Sequence, residues 1–320
     1  MSDETGLALW AHSVYQFGDE EQMSEHADRI AGAGVDILIP CVKNPPGVVD
    51  FFTDAAEVNP DYPDWDPLKV LIDECNQRGV KVHPWFCVFP EGEQSRLLNR
   101  HPEYAAEFDG DRRWACACRK EVQNHVVDLY RSLAERYKPD GLHLDYIRTG
   151  GECRCDRCWE SMVERGFDIR EVPFHDPGYQ QWIEWRIDNV SSVVARVRQI
   201  TDEADMELSA AVFTDYPACR QIQGQDWVEW GREGLVDYLF PMNYTNSLDC
   251  VRARADCHSA LVGDAAPFWE GLGKRSSASR LSTDDLGAQI RASLGAGASG
   301  VVIFQYPALT DEDLRMLEGL

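Results

Sequence analysis

Between Asp140 and Trp159 the chain reads DGLHLDYIRTGGECRCDRCW, a stretch that holds two kinds of reactive side chain. An apolar, strand-like run ends in the lone acid Asp145, and three cysteines then follow as C-x-C-x-x-C. A carboxylate at the end of a buried strand needs a function or a partner, because a charge away from water is costly. Clustered thiols are typical of soft metal ions or redox chemistry. The sequence therefore indicates two candidate sites, one acidic and one built from sulfur.

The acids suited to catalysis are Asp145, Glu270 and Asp215, each near the end of a predicted strand. Hydrolysis of a glycosidic bond uses two carboxyl groups that flank the bond. We predict Asp145 as the acid/base and Glu270 as the nucleophile, with Asp215 as the third candidate. In the competing interpretation Asp145 forms a structural salt bridge with Arg148. Glu270 is then a solvated loop residue, and Asp215 is a turn residue.

The cysteines that follow the third and fourth predicted strands have the spacing of metal ligands. The preferred ligand set, with Cys116 as a substitute, is Cys118, Cys153, Cys155 and Cys158. Four thiolates form a closed tetrahedral zinc site, which leaves no open position for catalysis. We therefore expect a structural zinc that fixes the loop beside the acid, and no cofactor for catalysis. Free or disulfide-bonded thiols, and an iron–sulfur or catalytic role, are the alternatives.

Short β-branched runs alternate with amphipathic helical stretches along the chain. The eight strand candidates are residues 6–12, 35–41, 80–86, 141–147, 207–213, 236–242, 266–272 and 300–306. Eight strands with helices between them predict an α/β fold, a single (β/α)8 TIM barrel over residues 1–320. The alternative is an open doubly wound sheet, but the first strand lacks its typical glycine-rich phosphate turn. Long loops at 87–118 and 149–178 follow strands three and four.

The carboxyl ends of the barrel strands, where active sites of this fold lie, are rich in aromatic residues. Flat aromatic faces with few hydrogen-bonding groups suit sugar rings. The candidate substrate-binding residues are His12, His83, Trp85, Arg148, Asn243, Tyr244, Trp269 and Tyr306. The alternative for the histidines is a buried, satisfied position, and for the tryptophans a place in the core.

The charge and composition of the chain argue against some classes of binding partner. The net charge of −24 and the pI near 4.6 argue against nucleic acid and anionic membranes, because phosphate binding needs clustered Lys and Arg. A neutral substrate fits this charge best. No apolar run reaches the length of about 18 residues that predicts a membrane span. The start of the chain lacks the pattern of a signal peptide, so we expect a cytoplasmic protein, or an extracellular one if a leader has been removed.

Four segments resemble one family of barrel proteins. They are DPLKVLIDECNQRGVKVHPWF (66–86), YKPDGLHLDYIR (137–148), QDWVEWGREGLVDYLFPMNYT (225–245) and GASGVVIFQY (297–306). These segments are similar to the family 10-like glycosyl hydrolases, a group of glycosyl-hydrolase-like TIM barrels. The resemblance implies a carbohydrate substrate, with Asp145 as the strand-four acid and with Asn243 and Tyr244 in the strand-six motif. At the position of Glu270, similar proteins often have proline or another residue.

A comparison with family 18 chitinases excludes their route to hydrolysis. Those enzymes carry D-x-x-D-x-D-x-E on strand four, and the position of their catalytic glutamate is Ile147 in this chain. Isoleucine has no proton to donate.

Two functions from different classes remain. The first is hydrolysis of an oligo- or polysaccharide by the carboxyl pair. The second is a non-catalytic carbohydrate-binding barrel, in which Asp145 and Arg148 bind sugar hydroxyls. A lyase or isomerase acting on small sugar acids would need a metal-binding acid cluster or a phosphate-binding glycine turn, and neither pattern is present.

Overall fold

Eight parallel strands form a ring at the centre of the structure, a computed structural model that describes residues 5–108, 113–171, 176–263 and 265–320. The strands are β1 (Gly6–Ala11), β2 (Ile37–Lys43), β3 (Trp85–Cys87), β4 (Gly141–Asp145), β5 (Glu207–Val212), β6 (Tyr238–Pro241), β7 (Trp269–Gly273) and β8 (Gly300–Phe304). Paired neighbours follow the order β7-β8-β1-β2-β3-β4-β5-β6. Parallel bridges from Leu239 to Phe268 and from Met242 to Gly271 close the ring. The predicted (β/α)8 barrel is confirmed.

The third barrel strand is interrupted where the sequence predicts one continuous run. The short strand Lys81–Val82 pairs with β2, and β3 begins only after Pro84. Proline has no backbone N–H, so the ladder lacks a donor at this point. Two more short strands extend the sheet beside β2, since Val48–Val49 pairs antiparallel with β2 and parallel with Glu57–Val58.

Helices connect the strands. The described α-helices are α1 (Glu20–Gly32), α2 (Pro67–Asn76), α3 (Arg96–Arg100), α4 (Lys120–Tyr137), α5 (Asp156–Val163), α6 (Pro177–Ala204), α7 (Ala218–Gln223), α8 (Trp227–Arg232), α9 (Leu248–Val262), α10 (Thr283–Gly295) and α11 (Asp311–Leu317). Their starts carry the expected signals: Asp19 and Ser282 form capping boxes, and Pro67 is the first residue of α2. Among the described helices, none has the length and apolar composition needed to cross a bilayer.

Successive residues of a strand face opposite layers, and this alternation divides the core into two parts. In β4, Leu142 and Leu144 belong to the apolar layer between strands and helices. His143 lies inside the barrel, where it accepts a hydrogen bond from the Trp10 indole at 3.1 Å. Asp145 has the same parity as His143 and therefore faces the barrel interior, at the carboxyl end of the strand.

Candidate active site

A cavity of about 730 Å³ lies at the carboxyl ends of the strands. Six large aromatic side chains line it: Trp10, Trp85, Tyr146, Phe213, Tyr244 and Phe304. Among the described residues of its wall, Asp145 is the only carboxylate. Aromatic faces around a single polar centre are typical of a site for a ligand with both apolar faces and polar edges.

Asp145 is the last residue of β4 and is only 8% exposed. Its Oδ1 atom accepts a hydrogen bond from the backbone N–H of Tyr146 at 2.6 Å. The φ angle of Tyr146 is 50°, in the left-handed region that residues other than glycine rarely adopt. This turn ends the regular alternation of the strand, so Asp145 and Tyr146 both line the cavity. Strained backbone of this kind is frequent at active sites.

Burial controls the protonation of Asp145. Loss of hydration raises the pKa of its carboxyl group from 3.8 to about 6. The hydrogen bond from the Tyr146 N–H, the positive charge of Arg148 and the Trp85 indole each lower the same pKa, but together they are weaker than the effect of burial. A carboxyl group with a pKa near 6 remains partly protonated near neutral pH, so it can serve as a general acid.

The Trp85 indole lies beside Asp145 in the cavity wall. This residue is 4% exposed, and its Nε1 atom makes no hydrogen bond of regular geometry with the described residues, although it is close enough to Asp145 to lower the pKa of that carboxyl group. A ligand oxygen in the cavity would give this buried N–H a well-aligned acceptor. The ring of His12 lies 5.7 Å from that of Trp85, and partial loss of hydration lowers the pKa of His12.

Arg148 lies over three aromatic rings at the edge of the cavity. Its guanidinium carbon is 4.8 Å from the ring centre of Trp114, 4.9 Å from that of Tyr146 and 5.1 Å from that of Phe213. Contacts between a guanidinium group and aromatic faces are favourable and restrict the position of the charge. The aromatic rings therefore hold a positive charge close enough to Asp145 to affect its pKa.

The cavity wall is cationic, although the chain is strongly acidic. Arg148, Arg254 and Arg275 all line it, against the single carboxylate of Asp145. Arg254 donates from Nη1 to Oδ1 of Asn243 at 3.2 Å, and Arg275 is exposed. The local charge is thus opposite in sign to the net charge of −24, from which a neutral substrate was expected. Charge near a binding site affects ligand preference more directly than the net charge does.

Comparison with known proteins identifies the family of this chain. The family model for glycosyl hydrolase-like 10 matches residues 8–265. The chain belongs to the glycosyl hydrolase-like 10 family. The predicted resemblance to this family is thereby confirmed, and three of the four segments lie within the matched residues.

The relatives of this family member differ from it in length. Glycosyl hydrolase DigH of Escherichia coli strain K12 is 25% identical over 228 residues, which cover 61% of this chain and 49% of DigH. Glycosyl hydrolase YngK of Bacillus subtilis strain 168 is 21% identical over 213 residues, which cover 57% of this chain and 39% of YngK. The chain thus spans half or less of the length of these curated relatives.

Among solved structures, the glycoside hydrolase domain of PgaB (BpsB) from Bordetella bronchiseptica matches this chain with a TM-score of 0.82. The match covers 98% of both chains at 16% identity, so the fold is shared.

Five predicted site residues of this glycosyl hydrolase-like 10 protein line the cavity: His12, Trp85, Asp145, Arg148 and Tyr244. The ring of Tyr244 stacks on Phe304 with centroids 5.4 Å apart. Burial, and to a lesser extent the charge of Asp145, raise the pKa of Tyr244, so its phenol stays protonated and is available as a donor.

Glu270 and Asn243 do not line the cavity. Trp269 belongs to the apolar cluster inside the barrel, so its neighbour Glu270 faces the helix layer, where it is fully buried. There its Oε1 atom accepts a hydrogen bond from Nδ2 of Asn243 at 2.7 Å, and its Oε2 atom lies 3.0 Å from Nδ1 of His258 in α9. The structure therefore does not bring Glu270 and Asp145 together in one cavity. Glu270 instead joins β6, β7 and α9.

His83 and Trp269 lie toward the amino ends of the strands. The ring of His83 contacts Oγ of Ser209 at 3.1 Å and Oε2 of Glu207, the first residue of β5, at 3.2 Å. Trp269 is the first residue of β7 and packs against Tyr238, the first residue of β6, with ring centroids 5.1 Å apart. The predicted seventh strand started too early, at residue 266, which placed Trp269 too close to the carboxyl end.

Asp215 and Tyr306 also lie outside the cavity wall. Asp215 is exposed and accepts a hydrogen bond from the Thr214 hydroxyl at 3.3 Å. The Tyr306 hydroxyl lies 2.7 Å from Nδ1 of His26, and the Tyr306 ring stacks on Phe17 at 5.6 Å. Tyr306 therefore packs between the end of β8 and the first helical segments.

The clustered cysteines meet beside the cavity. The sulfur atoms of four of them, Cys116, Cys153, Cys155 and Cys158, all lie within 4.8 Å of one another. This group includes Cys116, whereas the ligand set preferred from the sequence included Cys118 and kept Cys116 as its substitute. Cys116 is fixed by hydrogen bonds from its N–H to the Tyr104 carbonyl and from the Arg119 N–H to its own carbonyl. Cys118 is also buried and contacts Cys116 and Cys158.

Sequence reasoning missed several residues of the cavity wall. Phe304 ends β8, and its place at a strand end was a usable signal. Arg275 lies two residues after β7. Arg254 lies within α9, so a search limited to the ends of strands does not find it. These two arginines make the charge of the cavity wall positive, and the composition of the whole chain does not show this.

Proposed function

We propose that the protein is a glycoside hydrolase that acts on an oligo- or polysaccharide, with Asp145 as its general acid. The observation that carries this proposal is the single carboxylate in an aromatic cavity, with a pKa raised by burial to about 6. Membership of the glycosyl hydrolase-like 10 family supports the reaction class. At pH 7 about one molecule in ten has the protonated acid, which is sufficient for turnover.

In the proposed reaction, Asp145 donates its proton to the glycosidic oxygen as the bond from that oxygen to the anomeric carbon breaks. The leaving sugar takes the proton, and the anomeric carbon develops the positive charge of an oxocarbenium-like transition state. Among the described residues no second carboxylate lines the cavity. We therefore propose that a group of the substrate itself attacks the anomeric carbon, as in the substrate-assisted glycosidases. A water molecule then opens this intermediate and gives its proton to the Asp145 carboxylate, which restores the acid.

Several side chains would hold the sugar. The rings of Trp85 and Tyr244 provide apolar faces, and the indole N–H of Trp85, which has no well-aligned acceptor among the described residues, provides a donor for a sugar oxygen. Arg254 and Arg275 add positive charge at the wall. We propose that carboxylate-bearing sugars bind better than neutral ones of the same length, because guanidinium groups pair well with carboxylates.

The proposal is tested by the release of reducing ends from a panel of neutral and carboxylate-bearing oligosaccharides. We expect cleavage of at least one chain by the natural protein, and loss of at least about 1,000-fold in kcat for Asp145→Asn. Asp215→Asn is the matched control, because it removes an exposed acid near the same end of the barrel and should leave kcat unchanged.

The second candidate function is a non-catalytic carbohydrate-binding barrel. The single carboxylate in the described wall favours it, since most glycosidases use two. Binding of a glycan without release of any reducing end, in the natural protein as well as in Asp145→Asn, would select this function and refute hydrolysis.

A further inference from the structure

The five cysteines of the loops after β3 and β4 have no role in the proposed reaction, and four of them have the geometry of a metal site. The sulfur of Cys116 lies 3.5 Å from that of Cys158, 3.8 Å from that of Cys153 and 3.7 Å from that of Cys155. All eleven cysteines of the chain are free of disulfide bonds. A disulfide would need about 2.0 Å between sulfurs.

These distances match a zinc tetrahedron. Four sulfur ligands at about 2.3 Å from a tetrahedral zinc ion are about 3.8 Å apart along each edge. The four thiols are buried, and none lines the cavity. A site with four protein ligands has no open position for a substrate or a water molecule, which is the pattern of a structural zinc.

The backbone around the cluster is arranged for thiolates. Cys153 accepts a hydrogen bond from the Glu107 N–H at 3.3 Å, and hydrogen bonds of this kind stabilise metal-bound sulfur. Cys155 is the N-cap of α5, and Cys158 lies in the first turn of that helix. The positive end of a helix favours negative charge on both sulfurs.

A buried arginine supplies an independent observation. Arg186 is 1% exposed and interacts electrostatically with Cys118, Glu152, Cys158 and Cys153, so three of the four groups are cysteines of the cluster. It donates to neutral oxygen atoms, those of Thr149, Gly151, Gln221 and Ile222. Its Nε atom has no acceptor, and it forms no ion pair with any residue that the structure describes. A fully buried cation needs a nearby anion, and a zinc ion with four thiolates carries a net charge of −2.

We propose that Cys116, Cys153, Cys155 and Cys158 bind one structural zinc ion, for which Arg186 is the counter-charge. Each thiol gives up its proton to solvent on binding, and no electron is transferred. Cys118 lies beside this site and is not a ligand. The ion joins the loop after β3, which carries Cys116, to the loop after β4, which carries the other three cysteines.

The site has a consequence for the cavity wall. Trp114, two residues before Cys116, lies under the guanidinium group of Arg148 at 4.8 Å. Gly150, three residues before Cys153, packs so closely that an added Cβ would lie 2.7 Å from the Phe108 ring and 2.8 Å from the Trp114 ring. The zinc ion therefore fixes the two loops that hold Arg148 in place.

Metal analysis of the full chain, purified with a reducing agent and without added metal, tests the proposal. We expect about one zinc per chain, and after exchange of zinc for cobalt we expect the visible absorption of tetrahedral cobalt–thiolate coordination. Less than about one-fifth of a zinc per chain after incubation with excess zinc and dialysis, or iron in its place, would overturn the proposal.

Two variants identify the ligand set. Cys116→Ser should lower the zinc content at least about fivefold, whereas the matched variant Cys118→Ser should keep about one zinc per chain. The reverse result would overturn the assignment of Cys116. If Cys116→Ser does not fold, native mass spectrometry of the unchanged protein decides whether the ion is bound, because a bound Zn²⁺ ion adds the mass of one zinc less that of two protons, and absence of that species would overturn the proposal. None of these measurements depends on hydrolysis, so failure of the zinc site and failure of the proposed function are distinguishable.

Discussion

Replacing Asp145 by asparagine should make the folded protein more stable at neutral pH while it abolishes hydrolysis. The folded pKa is about 6, against an ordinary value of 3.8. Ionisation is therefore about 3 kcal/mol less favourable in the folded protein than in the unfolded chain. Asparagine has nearly the same shape, and its Oδ1 atom can still accept the hydrogen bond from the Tyr146 N–H. The variant removes the cost of a buried charge and keeps the local structure.

The size of this effect depends on pH. Since the folded pKa is raised, the contribution of Asp145 to stability is fully present below about pH 4 and is lost as the pH rises through about 6. The difference between Asp145→Asn and the unchanged protein should thus be near zero at about pH 4. It should approach about 3 kcal/mol in favour of the variant above about pH 7.

Urea unfolding at a series of pH values measures this difference, with a common m-value for both proteins. Asp215→Asn is the control, since its carboxylate is exposed, and its unfolding free energy should stay within about 0.5 kcal/mol of the unchanged protein at each pH. A variant that is less stable than the unchanged protein at pH 7 would refute the reasoning. In that case the ionised carboxylate has stabilising partners stronger than its cost of burial.

Three further predictions concern the surroundings of Asp145. Arg148→Gln removes a positive charge that lowers the pKa of Asp145. The decline of kcat/KM on the alkaline side of the pH–rate profile should therefore move to higher pH, and a shift to lower pH would contradict this prediction. Glu270→Gln weakens a buried hydrogen-bond network and should cost about 1–3 kcal/mol of stability. Its kcat should stay within about tenfold of that of the unchanged protein, whereas a loss of about 1,000-fold in kcat would identify Glu270 as the nucleophile. Trp85→Phe removes a buried N–H that has no well-aligned acceptor among the described residues, so stability should not fall by more than about 1 kcal/mol while KM rises severalfold. An unchanged KM would exclude a sugar contact for that N–H.

The strands were predictable because each carries a short apolar run between helical segments. The first, fourth, fifth and eighth observed strands begin at the predicted residues, Gly6, Gly141, Glu207 and Gly300. The break before β3 was also encoded, since Pro84 cannot donate to the ladder. The start of β7 was not predictable from the apolar pattern alone, because Ala266 and Phe268 are as apolar as the strand that follows and are buried like it.

The candidate site was predicted less well than the fold, and alternation within strands explains most of the difference. Trp269 and Glu270 were both proposed for the cavity, but neighbours in a regular strand face opposite layers. The same rule separates Asn243, which is buried against Glu270, from Tyr244, which lines the cavity. Knowing that Asp145 faces the barrel interior would not have shown which residue of each pair faces the cavity. The register between neighbouring strands is set by tertiary pairing, which the sequence of one strand does not reveal.

The stretch from Asp140 to Trp159 thus holds two sites that are separate in chemistry but connected in structure. Asp145 ends β4 in the cavity, whereas Cys153, Cys155 and Cys158 lie in the loop that follows and do not line it. The connection runs through Arg148, whose charge acts on Asp145 and whose guanidinium group rests on Trp114, two residues from Cys116. Burial alone raises the pKa of the acid, and the position of Arg148 limits how far it rises. The position of this loop therefore bears on the pKa of Asp145 through Arg148.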